Sequence, residues 1–442
     1  MDALQTTQEL IRFIEESPTA FHAVAAIRQR LDQAGFVYLS ECDPWGVVPG
    51  GRYYTVRNGS SLVAFAVGES VRPDDFHFQM TAAHTDNCTY KVKAVPELEG
   101  PEEYLRLNVE AYGGIIDGSW LDRPLGLAGR VMVREDGRVV SRLLDIRKDV
   151  AIIPSVAIHM NRDVNKGVAF NRQVDLCPLF SAGLLKKGAF LQMVAGELGV
   201  APDDVLGFDL FLVNHQPASV WGWAGEFVSA PKLDDLQCAY ASLVAFTETD
   251  APATSINVYA AFDNEEVGSN TKQGAMSTFL VDVLTRVNAA LGGADEQYRR
   301  AVAKSFLVSC DNAHAVHPNH PEKTDAENKA LLNSGIVIKE AANQKYTTDA
   351  FGRAVFMDIV SRAGVPVQVF ANRSDSVGGS TLGNLSNIQV SVHALDIGIP
   401  QLAMHSSYET AGVADTRYAV EALAAFFGAD IQIESADFAV IG

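Results

Sequence analysis

Positive charge is scarce in this 442-residue sequence, where 35 Lys and Arg stand against 54 Asp and Glu for a net charge of −19. Binding a phosphate backbone needs basic patches, so this balance argues against nucleic acid as a partner. It also repels acidic small molecules at long range, and an acidic ligand would need a specific local cation. Cysteine is sparse too. The five residues Cys42, Cys88, Cys177, Cys238 and Cys310 are odd in number, scattered, and form no C-x-x-C pair. That reads as reduced thiols in a cytoplasmic protein, not as a disulfide framework or a structural zinc site. No apolar run approaches the length that spans a bilayer. The opening MDALQTTQELIRFIEES carries acids and helical spacing where a signal peptide would carry an unbroken apolar core. The expectation is a cytoplasmic protein with no membrane partner. Repeats and low-complexity tracts are also lacking.

What is present is ordinary globular material, with 48% hydrophobic and 20% charged residues. The length suggests two domains, or one large domain carrying an insertion. Residues 3–16 and 20–34 have amphipathic helical spacing, are separated by Ser17-Pro18, and end at Gly35. YYTVR and SLVAFAV flank Asn58-Gly59-Ser60, which predicts a hairpin. From about Lys93 to Trp223 short β-like pieces and glycine turns predominate. The second half alternates strand-like runs (SINVYAAF, KSFLVSC, VPVQVF, QVSVHALDIG) with helical ones. Alternation of this kind implies parallel strands covered by helices on both faces.

The strand-like runs end in chemistry. VYAAF breaks into Asp263, Glu265 and Glu266; FHFQMTAA delivers His84 and Asp86; KSFLVSC meets Asp311; ALDIG leads to His405. Asp234 and Asp235 precede a helical pattern. Taken alone, DNEE reads as an acidic turn on a solvated surface and Asp235 as a helix cap. Together, imidazoles and carboxylates at the carboxyl ends of successive strands suit a pair of zinc-like divalent ions. One carboxylate would bridge ions about 3.5–4 Å apart, and an unligated glutamate beside them would serve as a general base. Asp86, two residues from His84, fits a residue that orients the imidazole.

The segments TAAHTDNCTYKVK, EAYGGIIDGSWLDRPLGLAGRV, IPSVAIHMNRDVN, APKLDDLQ, DNEEVGS, DNAHAVHPNH, IKEAANQKYTTDA, NRSDSVGGSTLG and IPQLAMHSSYE recur in family order from about residue 80 to 412. In them the chain resembles the aspartyl aminopeptidase family of dizinc metallopeptidases. The resemblance implies an α/β fold: a zinc-exopeptidase-like catalytic domain with a mixed, mainly parallel sheet flanked by helices, and an inserted β-rich dimerisation domain. On this sequence the catalytic domain would take residues 1–92 and 226–442, and the insertion residues 93–225. The metal ligands would be His84, Asp234 (bridging), Glu266, Asp311 and His405, with Glu265 as general base and Asp86 behind the ligands. His159, from a neighbouring subunit, would assist at the reacting carbonyl, although in the apolar SVAIHM it reads by itself as a core histidine. Lys339 would receive an acidic first residue, with Tyr346 lining the pocket; by itself Lys339 reads as a solvated lysine after a strand. His314 and His317 would shape a loop.

The family also implies two divalent ions, zinc first with cobalt or manganese as alternatives, peptide substrates with a free N-terminus, and a homo-oligomer, typically a dodecamer built from dimers. Asp235 stands where the family usually has asparagine, CTYKVK replaces a CLRVK type, and the NRSDSVGGSTLG stretch is a looser match. The expected activity is release of N-terminal Asp or Glu. The rivals are a neutral-residue aminopeptidase or deacylase on the same fold, and a noncatalytic peptide-binding assembly.

Overall fold

Strand His77–His84 is buried along its whole length, and its position explains why. In the computed structural model, which describes residues 1–435 and 437–442, it lies at the middle of a nine-stranded sheet. The order is Val37–Tyr38, Arg52–Arg57, Ser61–Val67, Ser255–Phe262, His77–His84, Phe306–Cys310, His393–Gly398, Ile336–Glu340, Val367–Ala371. Ser255–Phe262 runs parallel to His77–His84, with Phe262 opposite His84. Phe306–Cys310 runs parallel on the other side, with Ser309 opposite Ala82. Three adjacent strands therefore end at one level, and whatever follows them in sequence is delivered to one edge of the sheet.

Helices cover both faces, so the central strands are continuously apolar instead of alternating. One face packs under Ala3–Glu16, Ala20–Gln33, Leu233–Glu248 and Asp415–Gly428, through Phe13, Ile27, Tyr240, Phe246 and Phe426. The other lies under Phe279–Ala290 and Asp295–Ala303. The first helix starts where Asp2 and Gln5 bond each other's backbone N–H, a reciprocal cap. Gln79 and Asn257 are buried amides in the central strands. Their side-chain N–H groups donate to the main-chain oxygens of Phe426 and Phe427, which ties the sheet to the last long helix.

The chain forms two compact units: Met1–Asp86 with Ala218–Met404 and Glu409–Gly442, and Asn87–Pro217 with His405–Tyr408. The second is built on a closed six-stranded barrel, filled by Leu127, Val131, Leu210 and neighbouring apolar side chains. Its helix Ala189–Leu198 begins at Gly188, and the buried Glu97 carboxylate accepts the Gly188 and Phe190 N–H groups at 2.7 and 2.9 Å. An anion at the helix N-terminus replaces the missing local cap.

Both N-terminal helices and the Asn58-Gly59 hairpin form as the spacing predicts, with φ of 59° and 72° at the two turn residues. The sheet departs from uniform parallelism at Ser61–Val67, antiparallel to both Arg52–Arg57 and Ser255–Phe262, and again at Ile336–Glu340, which pairs antiparallel with His393–Gly398. Right-handed crossover logic constrains only strands joined in sequence through a helix, and these two are not. The hairpin of Ile431–Ser435 with Phe438–Ile441 also escaped the sequence reading.

Candidate metal centre

His84 closes the central strand and is 1% exposed. Its Nδ1 lies 3.0 Å from the Asp86 main-chain oxygen and 3.3 Å from Asp86 Oδ1. With Nδ1–H donated there, Nε2 is the nitrogen left to offer a lone pair. Nε2 faces Asp234 Oδ1 at 3.2 Å and Asp311 Oδ1 at 4.0 Å. Asp234 and Asp235 hold non-helical torsions at the head of helix Leu233–Glu248, which turns their carboxylates away from the usual helical directions. Asp234 N–H donates to Glu409 Oε2, and His84 N–H donates to Asp235 Oδ2, each at 3.0 Å.

The DNEE turn is held from below. Asp86 accepts the N–H groups of Glu265 and Glu266, one on each carboxylate oxygen, at 3.1 and 3.2 Å. Asn264 sits at φ 64° and Gly268 at φ 96°, which bends the chain sharply after Phe262. One carboxylate thus orients both the imidazole and the two-glutamate turn.

The charges explain what such a cluster requires. Burial alone would lower the His84 pKa, but Asp234, Asp235 and Asp86 outweigh it and raise it well above 6.5. Burial raises Asp235, and Asp311 and Asp234 add to the shift against the pull of His84. Glu265 keeps some exposed surface, yet the protein around its carboxyl, with Asp311, Glu266 and Asp86, also drives its pKa up. So many acids cannot ionise together without added positive charge. Four groups, His84, Asp234, Asp235 and Asp311, each offer a ligand atom within 4.8 Å of one another, and all four are buried. Asp235 Oδ1 is buried with no hydrogen-bond partner among the described residues. Nitrogen and carboxylate donors of this kind fit a zinc-class divalent ion.

Lys339 is not a solvated lysine. It is 2% exposed, because its strand Ile336–Glu340 is interior. Its Nζ donates to the main-chain oxygens of Asp311 at 2.8 Å and Asn312 at 3.3 Å, and lies 3.8 Å from Asp311 Oδ2. The Tyr346 ring, itself buried, is centred 5.2 Å from Nζ. Burial pulls the Lys339 pKa down, but Asp311, then Tyr346 and Asp396, reverse this and raise it above the usual lysine value.

His84, Asp86, Asp234, Glu265, Glu266, Asp311, Lys339 and Tyr346 all belong to the first unit. His405 and His159 belong to the second. His405 has φ 67°, and its Nδ1 lies 2.9 Å from the Gly114 main-chain oxygen. His159 is exposed, not a core residue, in a stretch where Val156, Ile158 and Met160 are exposed too. His314, which ends the short strand Ala313–His314, and His317, in the loop that follows, are both exposed. Sequence reasoning missed Glu409, which holds the Asp234 backbone, and Asp396, a buried acid. The signal for Asp396 was available: it is the single charge in the strand-like VHALDIG.

A helix-covered sheet whose neighbouring strands end in an imidazole and several carboxylates defines a metal-dependent hydrolase. The chain belongs to the M18 family: the profile described as Aminopeptidase I zinc metalloprotease (M18) matches residues 13–427. It is a metalloaminopeptidase, a hydrolase of peptide bonds. It is 44% identical to the "Probable M18 family aminopeptidase 2" of Clostridium novyi (strain NT), over 96% of this chain and 99% of that one. With the protein of the same name from Stutzerimonas stutzeri (strain A1501) it shares 40%, over 96% and 98%. Among solved structures, one titled "Cryo-EM structure of the Ape4 and Nbr1 complex" matches with TM-score 0.93 and 36% identity, over 96% of this chain and 86% of that one. "Structure of S. cerevesiae mApe1 dodecamer" matches with TM-score 0.82 and 30% identity, over 95% of each chain. Among the described residues, no helix is long and apolar enough to cross a membrane.

Proposed function

We propose that this aminopeptidase releases acidic residues, Asp or Glu, from the free N-terminus of peptides, with two divalent ions as cofactors and Glu265 as general base. The observation that carries the reading is the buried set His84, Asp234, Asp235 and Asp311 with the Lys339 ammonium 3.8 Å from Asp311. Asp234 would bridge the ions, His84, Asp311 and Glu266 would hold them, and the AMHS motif assigns His405 to the same ligand set. When bound, the ions, zinc first with cobalt or manganese as alternatives, supply a water of lowered pKa and stabilise charge on the reacting carbonyl oxygen.

The chain's own residues do the rest. Glu265 takes the proton of the attacking water; burial and neighbouring acids have already raised its pKa, which favours a carboxyl that can hold a proton and return it. It then gives that proton to the leaving amine. Asp86 keeps the His84 ring and the Glu265 backbone in place through this exchange. His159, from a second copy of the chain, is assigned to the developing oxyanion. Lys339 supplies the countercharge for an acidic first side chain, and Tyr346 lines its pocket. A dodecamer built from dimers is the proposed assembly, supported by likeness to the yeast dodecamer. Five free cysteines suit a cytoplasmic setting.

A second reading, release of neutral first residues, draws on one observation: the Lys339 ammonium already donates to two main-chain oxygens. Hydrolysis of matched peptides beginning with Asp, Glu, Ala, Leu or Lys, with and without chelator and with zinc or cobalt restored, separates the two. Chelator-sensitive release of Asp and Glu is expected, with Lys339→Ala selectively weakening those substrates. Preferential release of Ala or Leu would overturn the acidic specificity. No release by the intact, metal-loaded protein would point to a noncatalytic assembly.

A further inference from the structure

Asp396 is a fully buried carboxylate in the strand His393–Gly398, directly opposite Lys339 in the antiparallel pair. Burying an ionised acid costs several kcal/mol unless donors replace its water. The donors here come from two separate loops. Oδ2 accepts the Thr347 N–H at 2.5 Å and the Thr347 hydroxyl at 2.7 Å, while Oδ1 accepts the Thr381 hydroxyl at 2.5 Å. The Asp396 N–H donates in turn to Thr348 Oγ1 at 2.9 Å.

The first loop carries Tyr346, whose ring sits against Lys339. The second is the glycine-rich 376–381, and the two are joined again where Lys345 Nζ donates to the Gly378 main-chain oxygen at 3.1 Å. Gly383 makes the approach feasible, because a Cβ there would lie 2.9 and 3.0 Å from the Asp396 oxygens and 2.9 Å from Ser309 Cβ. A closed ring results, running from Lys339 through Tyr346 and Thr347 to Asp396, and on through Thr381 and Gly378 to Lys345. Tyr346 anchors the first loop by packing with Val337 and Phe370; beyond that, the two loops converge on a single carboxylate, and charge-assisted bonds are the strong ones available for joining them.

We infer that Asp396 is a positioning residue for the pocket that receives the first side chain of the substrate, holding Tyr346 against Lys339 and fixing the 376–381 loop beside them. The inference rests on the proposed assignment of Lys339 and Tyr346 to substrate binding. Asp396 touches neither substrate nor metal ligand in this role; it acts through the two threonines.

The test is Thr381→Val, which removes one donor to Asp396 at nearly constant shape, with Thr381→Ser as the conservative rescue. KM and kcat are measured on matched Asp, Glu, Ala and Leu peptides, alongside bound-metal content. The expected result is a rise in KM of about tenfold, the scale of one lost charge-assisted hydrogen bond, largest for the best-cleaved first residues. Metal content stays unchanged, kcat stays within about twofold, and Ser restores KM. Equal losses on every peptide, a fall in kcat or metal content without a KM effect, or no change would each overturn the inference. If wild type prefers neutral residues, the acidic specificity fails by that result alone, and the KM effect on the preferred peptides still decides the role of Asp396. Lys345→Met, which cuts the second tether between the loops, is the companion variant should Thr381→Val not fold, with the same expected split between KM and kcat.

Discussion

A single carboxylate, Asp86, bonds the His84 side chain and the backbone of both glutamates that follow strand Ser255–Phe262. That economy shows why the sequence interval His84-Thr85-Asp86 carried information: two residues are enough for the acid to fold back on the imidazole. Glu265 is the residue whose role separates binding from chemistry. Replacing it with Gln keeps its shape and the Asp86 bond to its backbone but removes the proton acceptor, so bound metal should be retained while kcat falls about 10²–10⁴-fold. Metal analysis with single-turnover kinetics checks this, and substantial residual turnover would remove Glu265 from the base role. Lys339 shows the limit of residue-level reading, since a lysine after a strand reads as solvated until the strand itself proves to be interior.

Among the elements, the strand His77–His84 does two jobs at its two ends. The C-terminal end presents His84; the N-terminal end buries His77, whose Nε2 lies 3.0 Å from Gln79 Oε1. Burial lowers the His77 pKa below 6.5, opposed by Gln79, Asp430 and Asp75 and reinforced by Lys304. The unfolded chain therefore takes up a proton near pH 6.5, while the folded chain resists until lower pH. The stability His77 contributes is present above about 6.5 and is lost as pH falls through its lower folded value. His77→Gln should flatten the acid limb of the thermal midpoint against pH; an unchanged slope between pH 7.5 and 5.5 would show that other groups carry it. Strand type was legible here because SINVYAAF and FHFQMTAA are unbroken apolar runs. The parallel run of the central strands was legible as well, from their alternation with helices, but the antiparallel pairing of Ile336–Glu340 with His393–Gly398, which sets Asp396 opposite Lys339, was not.

For the whole molecule, the balance of charge matters most at one place. Asp86, Asp234, Asp235, Glu265, Glu266 and Asp311 lie at the ends of neighbouring elements, with His84 and Lys339 as the cations the structure sets beside them. Such a cluster repels itself, so bound divalent ions should stabilise the fold as well as the reaction. Stripping them should lower the thermal midpoint and zinc should restore it, with a stabilisation of about 2.7 kcal/mol at a hundredfold excess over Kd. A midpoint indifferent to chelation would mean that the acids are neutralised by protons instead.

The sequence by itself determined the helices, the Asn58-Gly59 hairpin, the apolar central strands and the placing of acids at their ends, because periodicity, turn chemistry and strand termini are local properties. It also contained the family motifs in order. The tertiary structure alone decided that Lys339 is buried, that His159 is exposed, that residues 405–408 join the second unit, and that Thr347 and Thr381 meet at Asp396. Each of these depends on which distant segments become neighbours. That choice is made by strand register and burial over hundreds of residues, and no local pattern of side chains records it.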